Sequence, residues 1–202
     1  MKSQSLIFKL FEILEASLSE FGLESTVKRF AYISLLSTLG PVLRQPFADV
    51  NGSKIYLIPG DTGISRELKV FKIHEPLATA TLESHLDETP QRDLYVLDIG
   101  SNIGYYTLLE AKGNPRGRII AIEPNPVAFQ YLKKNIQANA LDNVIAKNTA
   151  IWNKDGCIEF VVRPVSNLCY VKEVGTGEAH TGSVIEVPTR TRLWDIIILV
   201  GF

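Results

Sequence analysis

Cysteine is scarce: Cys157 and Cys169 are the only two in 202 residues, and neither sits in a Cys-x-x-Cys spacing. That excludes a disulfide-stapled scaffold and a cysteine-type metal site, so reduced thiols in a cytoplasmic protein and no bound metal are expected. An excess of charge of one sign is also missing. Lys and Arg number 21 against 22 Asp and Glu, a net charge of −1. No bulk basic field therefore argues for nucleic acid or for an anionic membrane surface. Long apolar runs are missing too. The N-terminal apolar stretch is broken by Lys9, Glu12 and Glu15 and lacks a cleavage-type site. Neither a signal peptide nor an integral membrane span is expected.

What is present is an ordinary balance for one good core, 46% hydrophobic and 21% charged. Residues 1–45 read as an N-terminal helical segment. One amphipathic stripe runs from Leu6 to Leu18 and a second from Ser25 to the Gly40-Pro41 stop. Residues 46–92 read as a hairpin, turning at Asn51-Gly52, followed by a helix over Leu77 to Leu86. From 93 onward the pattern becomes strand–helix–strand. Leu94–Leu97, Arg118–Ile122 and Val144–Ile151 are strands, with helices over Ile103–Ala111 and Val127–Asn139 between them. Alternation of this kind predicts a parallel sheet covered on both faces. Beyond Trp152, Cys157–Arg163 and Val184–Thr191 read as strands around a loop over Ser166–Ser183, and Leu193–Val200 suits either a helix or a strand.

The chemistry concentrates in Tyr95–Thr107, YVLDIGSNIGYYT: a buried strand, a glycine loop and a helix start. Gly100 and Gly104 allow a sharp turn and close approach of a ligand to main-chain N–H groups. Asp98 places a carboxylate where a pyrophosphate would be repelled. Glu123 ends the next strand, the position at which doubly wound folds hydrogen-bond a nucleoside ribose. Asn148, at the end of the third strand, suits an adenine edge. A nicotinamide cofactor is the competing reading. Its Gly-x-Gly-x-x-Gly fingerprint differs from the Asp-Ile-Gly-Ser-Asn-Ile-Gly found here.

These residues resemble the FkbM family of S-adenosylmethionine-dependent methyltransferases. The likeness rests on Asp98–Thr107, on Ile122-Glu123-Pro124-Asn125-Pro126 and on Leu132-Lys133-Lys134-Asn135. It extends to Asp61–Glu67, Glu75-Pro76, Ala150, Asp155-Gly156 and Val187-Pro188-Thr189. The resemblance implies a Rossmann-like class I methyltransferase sheet in an α/β fold, with the S-adenosylmethionine-binding core over 93–202. It implies O-methylation of a hydroxyl on a small-molecule or sugar-like acceptor. Carried over by position, Gly100 and Gly104 would admit the methionine part of the cofactor, Asp98 and Asn102 would orient its polar groups, and Glu123 would take the ribose. Asn125 would stand on the adenosine side. The family continues past a Leu-Asp-Asp-like helix into a Lys-Ile-Asp-x-Glu-Gly strand, whereas Leu193-Trp194-Asp195 here leads to Ile196–Phe202. The sheet is therefore expected to be incomplete at its C-terminal side, and to be completed, if at all, by a second copy or a partner chain.

His180 and His74 are the candidates for the base that takes the acceptor's proton, each against the plainer reading of a surface or packing histidine. Glu75 and Arg66 either line the acceptor side or pair with each other. No Asn/Asp-Pro-Pro-Tyr-type tetrad is present, which weighs against nucleic-acid methylation. The alternatives are a catalytically inactive cofactor-binding remnant and, with less support from the glycine spacing, a nicotinamide-dependent oxidoreductase domain.

Overall fold

Asn51-Gly52 makes the first tight turn. Both residues have positive φ, 46° and 70°, the backbone that a two-residue hairpin loop requires. This turn joins β1 (Phe47–Val50) to β2 (Ser53–Tyr56) as an antiparallel pair. The computed structural model describes residues 45–88, 93–172 and 182–191. The expected N-terminal helices, His180 and the segment Leu193–Val200 lie outside the described residues. Helices α1 (Ile64–Phe71) and α2 (Pro76–Glu88) follow the hairpin. Helix α1 begins at Ile64, directly after Gly63.

The parallel sheet has the order β3–β4–β5, from Tyr95–Ile99, Arg118–Ile122 and Val144–Lys147. Leu97 lies beside Ile120, which lies beside Ile145. Helices α3 (Tyr105–Gly113) and α4 (Pro126–Ala138) make the two crossovers. Strand β4 is the middle strand, and Ile119, Ile120, Ala121 and Ile122 are all buried. Strand β3 borders it on one side, and there Tyr95 and Ile99 are exposed. The alternation, the strand order and the short connections agree with the expected Rossmann-like α/β core.

The third strand does not run unbroken to Ile151. It stops at Lys147, and Ala150–Ile151 forms a separate short strand, β6, in a second sheet. The break has a local cause. Asn148 Nδ2 donates to the carbonyls of Glu123 and Pro124 (2.7 and 3.1 Å), and Thr149 Oγ1 donates to Pro188 O (2.9 Å). The two side chains pull the backbone toward different sheets. The second sheet has the order β6–β9–β7–β8, with β7 Gly156–Val162, β8 Tyr170–Val171 and β9 Ser183–Arg190. The 166–183 stretch, expected to be loop throughout, thus carries β8 and a 3-10 turn at Ser166–Leu168.

Two asparagines tie the hairpin to this core. Asn135 is fully buried on α4; its Oδ1 accepts from Tyr56 N (2.6 Å) and its Nδ2 donates to Tyr56 O and Ile103 O (3.1 and 2.8 Å). One turn later, Asn139 repeats the pattern with Lys54 N and O (2.9 and 2.8 Å). The i, i+4 spacing puts both amides on one helix face, where they serve β2 as a substitute strand partner. Beneath them Val50, Ile55, Leu68, Ile103, Tyr105 and Leu108 form one apolar cluster. The hairpin, α1 and the start of α3 therefore share a core directly behind the glycine loop.

Candidate active site

The glycine loop leaves β3 at its carboxyl end. Three alternate residues have positive φ: Gly100 at 84°, Asn102 at 49° and Gly104 at 92°. At Gly104 an added Cβ would stand 2.7 Å from Leu132 Cδ1, so the loop lies directly on α4. The main-chain N–H groups of this loop are already used. Gly100 N and Ser101 N donate to Ile122 O (2.8 and 3.0 Å), and Gly104 N donates to Ser101 O (2.7 Å). Asn102 N donates to Glu123 Oε2 (2.7 Å). These four N–H groups are therefore not offered to a ligand, contrary to the expectation from the glycines alone. A pyrophosphate would find few donors here.

Glu123 is buried at the carboxyl end of β4 and is held at both oxygens, Oε2 by Asn102 N and Oε1 by Asn125 N (2.7 Å). Burial, with a smaller push from the Asp98 charge, raises its carboxyl to about 7 although the two N–H donors oppose the shift. Each oxygen keeps a second lone pair for a hydroxyl donor. Asp98 Oδ2 accepts from Thr107 Oγ1, and burial raises this carboxyl as well. One helical turn beyond Thr107, Glu110 is raised to about 8 by burial and then by the Asp98 charge.

Asp98, Asn102 and Glu123 open on a cleft of about 400 Å³, which His74, Glu75 and Tyr106 line from another side. That volume lies within the ~300–1,000 Å³ of ligand pockets. Its charged lining is acidic, and no lysine or arginine lines it among the described residues. The far wall is formed by Phe160, Ser166, Asn167 and Cys169 of the second sheet and its loop. This wall was not legible in the sequence.

His74 is buried, and its Nδ1 lies 2.6 Å from Glu67 Oε2. A carboxylate accepts, so Nδ1 carries a proton toward Glu67, while Nε2 stands 3.9 Å from Glu75 Oε1. Glu75 takes φ 42° immediately before Pro76, a left-handed backbone unusual for this residue. Its Oε2 accepts from Tyr106 OH (2.8 Å). Burial, followed by that bond, raises the Tyr106 hydroxyl. Tyr105 turns inward, and its OH shares a hydrogen bond with Thr79 Oγ1 (3.1 Å).

Three expected site residues are placed differently. Asn125 is the N-cap of α4, its Oδ1 accepting from Val127 N (3.0 Å) with Pro126 behind it, which leaves that oxygen committed to the helix. The Asn148 amino group holds the Glu123-Pro124 turn from behind, and Asn148 does not line the cleft. Arg66 does not line it either, and the Glu75 carboxylate bonds to Tyr106.

Residues 78–163, which contain the loop, Glu123 and the strands that carry them, match the TRM5/TYW2 methyltransferase domain. Over this span, less than half of its length, the chain is similar to an S-adenosylmethionine-dependent methyltransferase domain. A tRNA(Phe) (4-demethylwyosine(37)-C(7)) aminocarboxypropyltransferase of Methanocaldococcus jannaschii is 29% identical over 150 residues, covering 71% of this chain and 60% of that protein. Methyltransferase 1 of Beauveria bassiana is 28% identical over 72 residues, 36% of this chain and 29% of the relative. The chain thus spans 60% of the length of the first of these relatives and 29% of the second. Among solved structures, P. horikoshii TYW2 in complex with MeSAdo is 28% identical, with a TM-score of 0.36, covering 50% of this chain and 34% of that one.

The cofactor of this domain is S-adenosylmethionine, and the cleft fits it chemically. A sulfonium and an amine are cations, ribose hydroxyls are donors, and the lining offers carboxylates rather than phosphate-binding groups. Among the described residues, no helix is long and apolar enough to cross a membrane.

Proposed function

We propose that the chain binds S-adenosylmethionine at the carboxyl ends of β3 and β4 and supports methyl transfer to a hydroxyl of a small-molecule or sugar-like acceptor. The observation that carries this reading is the acidic, arginine- and lysine-free cleft, in which the loop's own N–H groups are spent internally. Both features disfavour the pyrophosphate of a nicotinamide cofactor. The acceptor class follows the FkbM resemblance of Asp98–Thr107 and Ile122–Pro126, residues that the TRM5/TYW2 match also spans. Glu123 takes the ribose hydroxyls, and Asp98 and Asn102 face the methionine end.

The cofactor supplies a methyl group already activated by a positive sulfur, so the protein's part is orientation and proton removal. His74 is the base that the geometry favours. Glu67 fixes the tautomer, and Nε2 accepts the acceptor's proton on the cleft side. Tyr106 and Glu75 form a polar wall beside it.

A second reading, modification of a tRNA base, is favoured by the TRM5/TYW2 match and by the relative that acts on tRNA(Phe). A third has the chain binding the cofactor without transferring a group. Transfer of label from S-adenosylmethionine, carried in separate runs in its methyl group and in its aminocarboxypropyl carbons, to a panel of hydroxyl compounds and to unmodified tRNA separates the three. Label in a small hydroxyl compound is the expected result. Label in tRNA alone overturns the acceptor assignment, and label in neither favours the remnant.

A further inference from the structure

Asp61, Asn102 and Ser166 come from three separate segments and are joined at the wall of the cleft in one chain of hydrogen bonds. Asp61 is buried, and four donors converge on it. Oδ1 accepts from Gly63 N and Ser166 N (3.0 and 2.9 Å), and Oδ2 accepts from Ser65 N and Ser166 Oγ (both 3.0 Å). Burial alone would raise this carboxyl, but the donors from Ser166, Ser65 and Gly63 outweigh it and hold it below the usual carboxylate range. Asp61 is therefore ionised and can only accept.

The direction of the chain follows. Ser166 has one hydroxyl proton, and Asp61 takes it. Toward Asn102, at 3.1 Å, the serine oxygen can then only accept, so the amino group Nδ2 must point at Ser166. That fixes the amide, and its oxygen is turned the other way. Asn102 is 9% exposed and lines the cleft, and its Oδ1 is buried without a hydrogen-bond donor among the described residues. An unpaired buried carbonyl of this kind is costly and is relieved by a donor from a ligand. The two outer segments are also in close contact: a Cβ on Gly63 would overlap Asn167 Oδ1, so the 61–66 turn is seated directly against the 165–167 turn.

We propose that Asp61 and Ser166 are positioning residues of the cofactor site, orienting the Asn102 amide so that its oxygen is reserved for an amine or hydroxyl donor of the cofactor. The inference rests on the S-adenosylmethionine reading above. It makes the turn between β7 and β8 part of the binding site and gives the Asp61–Ser65 turn a role beyond starting α1.

Titration calorimetry with S-adenosylhomocysteine tests it, on the unaltered chain and on Asp61→Asn, Ser166→Ala and Ser166→Thr, with ligand-free thermal unfolding of each. Asp61→Asn puts an amino group against Ser166, which then donates to Asn102 and reverses the amide. At least a tenfold loss of affinity is expected. Ser166→Ala should lose several-fold, and Ser166→Thr, which keeps the hydroxyl, should bind within about twofold of the unaltered chain. A merely structural role would make affinity follow the unfolding temperatures, with threonine no better than alanine. That result, or unchanged affinity in Asp61→Asn and Ser166→Ala, overturns the proposal. No binding by the unaltered, folded chain overturns the cofactor reading itself and this inference with it.

Discussion

The two ends of the parallel sheet differ in a way that cavity size alone would misreport. At the amino ends of β4 and β5, Arg118, Asn143 and the last turn of α3 border a depression of about 610 Å³ that also carries Lys112 and Arg116. At the carboxyl ends the cleft is smaller, about 400 Å³, and its charged lining is acidic. The larger hollow is a shallow gap between helix ends. Its Lys112 Nζ is bonded to Gly52 O (2.8 Å), and Arg116 Nε is paired with Asp93 (3.1 Å). The smaller one gathers left-handed residues, a doubly held buried glutamate and an unpaired amide oxygen. Costly features of this kind mark a functional site better than volume does.

The contrast can be broken or sharpened by substitution. Glu123→Ala removes the ribose acceptor and strands two buried N–H groups, a loss of about 2–4 kcal/mol or roughly 30- to 1,000-fold in S-adenosylhomocysteine affinity by calorimetry. Asp98→Ala should weaken the same binding at least tenfold. Gly104→Ala forces a side chain into φ 92° and toward Leu132. It should cost about 1–3 kcal/mol of stability in urea unfolding.

Two pH effects are smaller. Glu123 is raised to about 7, so its ionised, hydroxyl-accepting form fills as pH rises through neutrality. Affinity should climb severalfold between pH 6 and 8, and Glu123→Gln should flatten that rise. Glu110 has a folded value of about 8 against an ordinary 4.5. The native state then binds the extra proton, so stability falls as pH rises from about 4.5 through 8. Unfolding curves across that window should show the decline, and Glu110→Gln should lessen it. Least of all, Arg118→Ala at the other end of the sheet should leave S-adenosylhomocysteine affinity unchanged within twofold.

Much of the core was legible because its signals are local. The alternation of apolar runs with Gly113-Asn114-Pro115 and Glu123-Pro124-Asn125-Pro126 marks the strand and helix ends, and the strand Arg118–Ile122 lies where its pattern places it. Asn51-Gly52 announces the hairpin. The far wall of the cleft was not legible, since Ser166 reaches Asp61 across 105 residues and Asn102 across 64, and neither pairing has a local pattern. The cap formed by Asn125 and the turn brace formed by Asn148 were not legible for a related reason. An asparagine at a strand end suits a cap, a turn brace or a ligand contact equally well, and only the neighbouring backbone groups decide. His74 became a stronger candidate only once Glu67 was seen on Nδ1.

The most direct test of the central claim is calorimetric titration of the folded chain with S-adenosylmethionine and S-adenosylhomocysteine, with NADH as the comparison ligand. Saturable, one-to-one binding of both S-adenosyl ligands is expected, abolished or strongly weakened by Glu123→Ala, with none for NADH. Binding of NADH, or no binding of either S-adenosyl ligand by a chain shown to be folded, would contradict it.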